Sequence, residues 1–120
     1  MLEIEDLSVS VGEIRILEKI SLRVDDGEIL GVLGPSGSGK STLLRAIAGI
    51  VEPVAGSVVW DGVDLTHTPT HLRRFGLMFQ GYALFPHLSV GGNVGFGVPT
   101  GDRKSVEDAL HWVGLDGFEG

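Results

Sequence analysis

The chain has 120 residues, 42% of them apolar, and a formal charge of −7, so its length suits one small globular unit, and its acidity argues against nucleic acid as the main partner, which needs a basic face. It contains no cysteine, which rules out disulfides and thiolate metal sites. No apolar run reaches the roughly 18 residues of a membrane span, and the acidic start lacks the basic and apolar regions of a signal peptide, so a soluble, cytoplasmic chain is expected.

Leu2, Ile4, Leu7 and Val9 alternate with a slip near Asp6, which predicts a half-buried strand over 2–9. Gly12 marks a turn. Ile14, Ile16, Ile20, Leu22 and Val24 form a second alternating segment that ends at the turn Asp25-Asp26-Gly27. The many carboxylates of this region read as the solvated face of edge strands. Ile29-Leu30-Gly31-Val32-Leu33 is short and β-branched enough to predict a buried strand.

Gly34-Pro35-Ser36-Gly37-Ser38-Gly39-Lys40-Ser41 then fits G-x-x-x-x-G-K-[ST], a phosphate-binding loop. Leu43, Leu44, Ile47 and Ile50 predict a helix from Thr42 to Ile50, completing the order strand, glycine loop, helix. Gly37 and Gly39 let the backbone wrap around a polyanion so that successive N–H groups point at its oxygens. The helix start adds unpaired N–H groups and the positive end of its dipole. Lys40 is expected to place its ammonium on the β and γ phosphates, Ser41 to give its hydroxyl to Mg²⁺, and Thr42 to make a further phosphate contact. The loop alone fits a transporter ATPase, a small-molecule kinase, a GTPase or a helicase.

After the helix, Glu52-Pro53-Val54-Ala55-Gly56 reads as a loop, and Ser57–Trp60 and Val63–Leu65 flank Asp61-Gly62 as a hairpin. Phe75 to Phe79 is a further strand candidate ending at Gln80. Arg73-Arg74 reads as a solvated pair. His67, His71, His87 and His111 have no carboxylate or cysteine at ligand spacing, so no histidine metal site is expected. Trp60 and Trp112 read as packing residues. Val106, Ala109, Leu110 and Val113 share one face of an amphipathic helix over 102–113.

Gly27-Glu28, Gly34 to Thr42, Leu43 to Gly49, Asp61-Gly62, Met78-Phe79-Gln80 and Tyr82 to Val90, in that order, resemble the ATP-binding subunit of an ABC transporter over essentially the whole chain. Phe79-Gln80 and Tyr82 to Val90 resemble most closely the importer branch of ferric iron, polyamine, thiamine and sulfate systems. The resemblance implies an α/β fold of the P-loop NTPase, ABC ATPase type. It divides into an antiparallel β region (1–28), a P-loop core to the Q-loop (29–81) and the start of a helical subdomain (82–120). It implies ATP and Mg²⁺ as cofactors and a second nucleotide-binding subunit as partner. It also implies a place on the inner face of the cell membrane, with Gly81–His87 facing a transmembrane permease subunit. Gln80 takes the Q-loop place, where its amide can serve Mg²⁺ or the attacking water and donate to a phosphate oxygen.

Three departures from the family pattern stand out. Val11 occupies the place where the family stacks adenine on an aromatic side chain, which predicts weaker base binding. Gly91, Gly92, Gly95 and Gly97 fall in a segment the family makes helical, each costing about 0.8–1 kcal/mol relative to alanine, which predicts a weak helix. The Leu-Ser-Gly-Gly-Gln signature, the Walker B Asp-Glu and the switch histidine do not occur between residues 1 and 120, and Asp116 and Glu119 follow no apolar strand that could make them substitutes. The expectation is therefore the first half of a subunit, whose complete dimer hydrolyses ATP to drive import of a small solute. Its sheet should be incomplete, leaving the isolated chain partly unfolded or associated. A truncated nucleotide-binding module without turnover is the alternative, and a P-loop kinase a more distant one.

Overall fold

The alternation of the first segment becomes β1 (Leu2–Val11), and the second becomes β2 (Ile14–Val24), antiparallel to it through the turn at Gly12. The slip expected near Asp6 is a β-bulge: the register jumps between Ile4 and Leu7, and Asp6 has φ 44°. A compensating irregularity lies across the ladder, where Lys19 has φ 47°. Side-chain hydroxyls satisfy the amides that the bulges release. Ser21 Oγ accepts from Asp6 N at 2.9 Å, and the buried Ser8 Oγ accepts from Lys19 N at 3.0 Å.

This computed structural model describes residues 1–120 as two compact units, Met1–Leu77 and Met78–Gly120. In the first, the predicted hairpin forms as β3 (Ala55–Trp60) and β4 (Val63–Asp64), and β3 pairs with the other side of β1. The sheet order is β2-β1-β3-β4. Between β2 and β3 runs α1 (Lys40–Ala48), whose Leu43 and Ala46 pack on Ile4, Leu7, Val9, Leu17 and Val58. That is the core: one helix face against one sheet face, as the two periodicities demand. A short helix, α2 (Thr70–Arg73), follows β4.

Two predicted strands do not form. Ile29–Leu33 and Phe75–Phe79 carry no ladder pairing, and Ile29 and Leu33 are 96% and 95% exposed. An apolar run becomes a strand only when a neighbour takes its N–H and C=O groups, and no segment among residues 1–120 does so. The expected incompleteness of the sheet is seen in these segments. Arg73, read as half of a solvated pair, is buried at 6% exposure, whereas Arg74 is exposed.

In the second unit, the glycine-rich segment forms only α3 (Val90–Val94) and a 3₁₀ turn at Gly95–Gly97. Two of its glycines fit tight contacts. A Cβ on Gly91 would stand 2.7 Å from the Glu119 carbonyl oxygen, and one on Gly95 would stand 3.1 Å from Val106 Cγ2. The amphipathic helix is α4 (Arg103–Trp112), capped by Asp102, whose carboxylate accepts from Ser105 N at 3.0 Å. Leu110 is its buried residue, and Trp112, expected to pack, is 86% exposed. Trp60 does pack, edge-on to Phe75 with ring centroids 5.5 Å apart.

Candidate nucleotide-binding loop

The loop from Gly34 to Ser38 is exposed and turns through a Ser38 N to Pro35 O hydrogen bond of 3.2 Å. Gly37 and Gly39 adopt left-handed conformations, with φ 81° and 96°. Gly39 is the N-cap of α1, and its carbonyl accepts the first helical bond, from Leu43 N at 2.9 Å. Its lack of a side chain also serves packing, since a Cβ there would lie 2.7 Å from Leu17 Cδ2. The start of the helix is thereby pressed against β2.

No side chain caps α1, and its first turn holds no acidic residue. Its leading N–H groups therefore keep their capacity for an outside acceptor, at the end of the helix that carries about half a positive charge. Lys40 is the first helical residue, and its Nζ donates to the carbonyls of Gly34 at 2.6 Å and Pro35 at 2.8 Å, and to Ser38 Oγ at 3.3 Å. The ammonium thus lies over the loop that precedes it. Ser41, in the same turn, is exposed, and Thr42 is half-buried. A lone exposed hydroxyl suits Mg²⁺, which keeps most of its water and takes few protein oxygens. The loop amides, the bare helix start and the ammonium likewise suit a polyphosphate.

Val11 ends β1 and is 62% exposed, paired with Ile14. Ile14 lies two residues before Ile16, one of the residues nearest Gly39, so it stands about 7 Å along the strand from the loop's end. Gln80 belongs to the second unit and lies exposed in a turn closed by Tyr82 N to Phe79 O at 2.9 Å. Tyr82 and Ala83 follow with φ 63° and 50°, left-handed values that cost non-glycine residues energy. Gly81 to His87 is exposed throughout.

Asn93 organises that exposed segment. Its Oδ1 accepts from Phe85 N at 2.9 Å, while its Nδ2 donates to the carbonyls of Phe85 at 3.1 Å and Ser89 at 3.0 Å. Phe85 in turn stacks on Phe96, with centroids 4.4 Å apart. Nothing in the local sequence pattern singled out Asn93, because its partners are backbone groups of a loop. Among the histidines, His111 Nδ1 lies 2.7 Å from Asp116 Oδ1, and this hydrogen bond raises the imidazole pKa and lowers that of the carboxyl. No cluster of three metal-ligating side chains occurs.

Known proteins resemble the chain over nearly its whole length. The chain resembles the sulfate/thiosulfate import ATP-binding protein CysA of Synechocystis, at 43% identity over 96% of this chain and 34% of the relative. It resembles the Fe(3+) ions import ATP-binding protein FbpC of Escherichia coli K12 at 41% identity, over 98% of this chain and 35% of the relative. The chain thus spans about a third of the length of these curated relatives. The dimeric ATP-binding cassette MJ0796, in a post-hydrolysis state bound to ADP and Pi, superposes with a TM-score of 0.84 at 29% identity, over 99% of this chain and 60% of that one.

The fold is that of a P-loop nucleoside triphosphatase, represented in part. Residues 17–120 match the ABC transporter family, and the chain belongs to it.

Proposed function

We propose that Gly34–Thr42 binds the phosphates of ATP with Mg²⁺, and that the chain is the N-terminal part of an importer ATP-binding subunit. The observation that carries this reading is the placement of Lys40. Its ammonium is held 2.6–2.8 Å from two loop carbonyls, directly beside a helix start that no side chain caps. In this reading Lys40 turns from those carbonyls to the β and γ phosphates, and the amides of Gly37 to Ser41 donate to phosphate oxygens. Ser41 gives its hydroxyl oxygen to Mg²⁺, which would screen charge between the phosphates. Gln80 serves the metal or the attacking water through its amide, a role supported by its Q-loop place in the family pattern.

Hydrolysis belongs to the complete dimer. The charge that develops on the phosphates would be stabilised there by Lys40 and the loop amides. Gly81–His87, exposed and pinned by Asn93, is the surface we assign to the permease subunit, on the inner face of the membrane. The import role is supported by relatives whose names specify import of sulfate, thiosulfate and Fe(3+) ions. Calorimetry with ATP and AMP, each with Mg²⁺, tests the phosphate assignment. Tighter binding of ATP is expected, since AMP lacks the phosphates that Lys40 reaches; equal affinities would contradict it.

A further inference from the structure

Arg73 lies outside the nucleotide loop, yet its guanidinium closes the far end of the helix that the loop begins. Nη1 donates to the carbonyls of Ala46 at 3.1 Å and Ile47 at 3.0 Å, in the last turn of α1. Nε donates to Thr68 O at 2.7 Å and Nη2 to Thr66 O at 2.9 Å, in the segment after β4. The four bonds join the carbonyl end of a helix to a loop more than 18 residues away in sequence. A cation in this place meets the negative end of the helix dipole.

The helix is fitted against a stop at each end. At its start, Gly39 (φ 96°) approaches Leu17 so closely that a Cβ would lie 2.7 Å from Cδ2. At its finish, Gly49 (φ 86°) approaches Arg73, and a Cβ would lie 2.6 Å from Nε. Both end residues are left-handed glycines. An α-helix of nine residues is a rod about 13 Å long, so a shift or turn at one end is carried to the other.

We infer that Arg73 is a positioning residue for the nucleotide loop: by anchoring the C-terminal turn of α1 it fixes the axial position and rotation of the helix, and hence where the amides of Ser38 to Thr42 point. It acts through α1 and touches no phosphate. The inference rests on the proposed nucleotide site for its functional consequence, while its structural content stands without nucleotide. Lysine cannot replace this guanidinium, because one ammonium has three donors and no planar fork to span four carbonyls on two segments. Burial draws the Arg73 pKa below the ordinary arginine value and the charge of Asp64 opposes that, so the group stays charged.

The test is hydrogen exchange by NMR on the 120-residue chain and its Arg73→Lys variant without nucleotide, followed by calorimetry with Mg·ATP. Exchange of the Ser38 and Leu43 amides, which donate to Pro35 O at 3.2 Å and Gly39 O at 2.9 Å, should quicken about tenfold while ladder amides at Ile4 and Leu22 keep their rates, and Mg·ATP affinity should fall about tenfold, the scale of one lost hydrogen bond to a charged group. Unchanged loop exchange would overturn the inference. So would a rise shared equally with the ladder, because Arg73 would then act only on global stability. If wild-type chain binds no Mg·ATP, the nucleotide reading fails, while the exchange data still decide the anchoring. Should Arg73→Lys not fold, Gly49→Ala, which drives the guanidinium from its seat, is read in the same way.

Discussion

Lys40 Nζ donates to the carbonyl oxygen of Gly34 at 2.6 Å, so the chain's own loop occupies the ammonium that the proposed site offers to phosphate. Replacing Lys40 with methionine keeps an unbranched side chain, one atom shorter, and removes the charge. Mg·ATP affinity is expected to fall about 100-fold, consistent with charge-assisted hydrogen bonds of about 1.5–3 kcal/mol each. Because the side chain's partners lie on an exposed loop, the melting temperature should hardly move. Calorimetry beside a thermal melt separates the two effects, and an unaltered dissociation constant would remove Lys40 from the site.

Gly56 and Gly62 both have positive φ, 86° and 79°, but differ in what surrounds them. A Cβ on Gly56 would run into the backbone of Glu5 and Asp6 at the β1 bulge, whereas one on Gly62 meets nothing within 4 Å. Gly62→Ala should cost about 1 kcal/mol, the strain of a left-handed alanine, and Gly56→Ala about 3 kcal/mol or more, because backbone must shift. Urea denaturation of the two variants checks the order. Equal costs would mean that β3 does not approach the bulge as described.

The His111–Asp116 pair gives a pH signature. Its hydrogen bond raises the His111 pKa above the ordinary 6.5, with Asp108 adding a smaller effect of the same sign, and lowers that of Asp116 below 3.8. A raised histidine pKa stabilises fully below the unfolded value, and that contribution is lost as pH rises through the folded value. A lowered aspartate pKa stabilises above its unfolded value, and is lost as pH falls through the folded one. The pair therefore supports the turn after α4 most fully between about pH 4 and 6.5. An NMR titration should place the His111 midpoint above 6.5, and Asp116→Asn should bring it down; a His111 midpoint unmoved by that substitution would show that the contact is not made in solution.

Much of the first unit was legible because its signals are local. The bulge at Asp6 showed as a break in alternation, the hairpin as Asp61-Gly62, and the loop as glycines and lysine at fixed spacing before a helical pattern. The failures were of residues whose state is set by distant groups. Ile29–Leu33 has a strand's composition but no ladder partner, and Arg73 has a surface residue's composition but accepting carbonyls 26 and 27 residues away. Gly91 read as a helix breaker, whereas its approach to Glu119 depends on a segment 28 residues later, and its N–H donates to that carbonyl at 2.8 Å.

Val11 stands exposed at the end of β1, and we propose that the base of the nucleotide lies against it. Tyrosine there should bind Mg·ATP about tenfold more tightly, since base–aromatic stacking contributes about 1–3 kcal/mol. Affinity for inorganic triphosphate, which has no base, should not change. A dissociation constant for Mg·ATP that is the same in Val11→Tyr and wild type would place the base elsewhere.

The central claim is that phosphate is bound by the amides of the Gly34–Thr42 loop, and a ¹H–¹⁵N NMR titration of the chain with Mg·ATP tests it most directly. The account predicts saturable shifts concentrated at Gly37, Ser38, Gly39, Lys40 and Ser41, with small changes at Ile4 and Val58 in the core of the sheet. Saturable shifts that leave those loop amides in place, or no shifts at millimolar nucleotide in a folded chain, would contradict it.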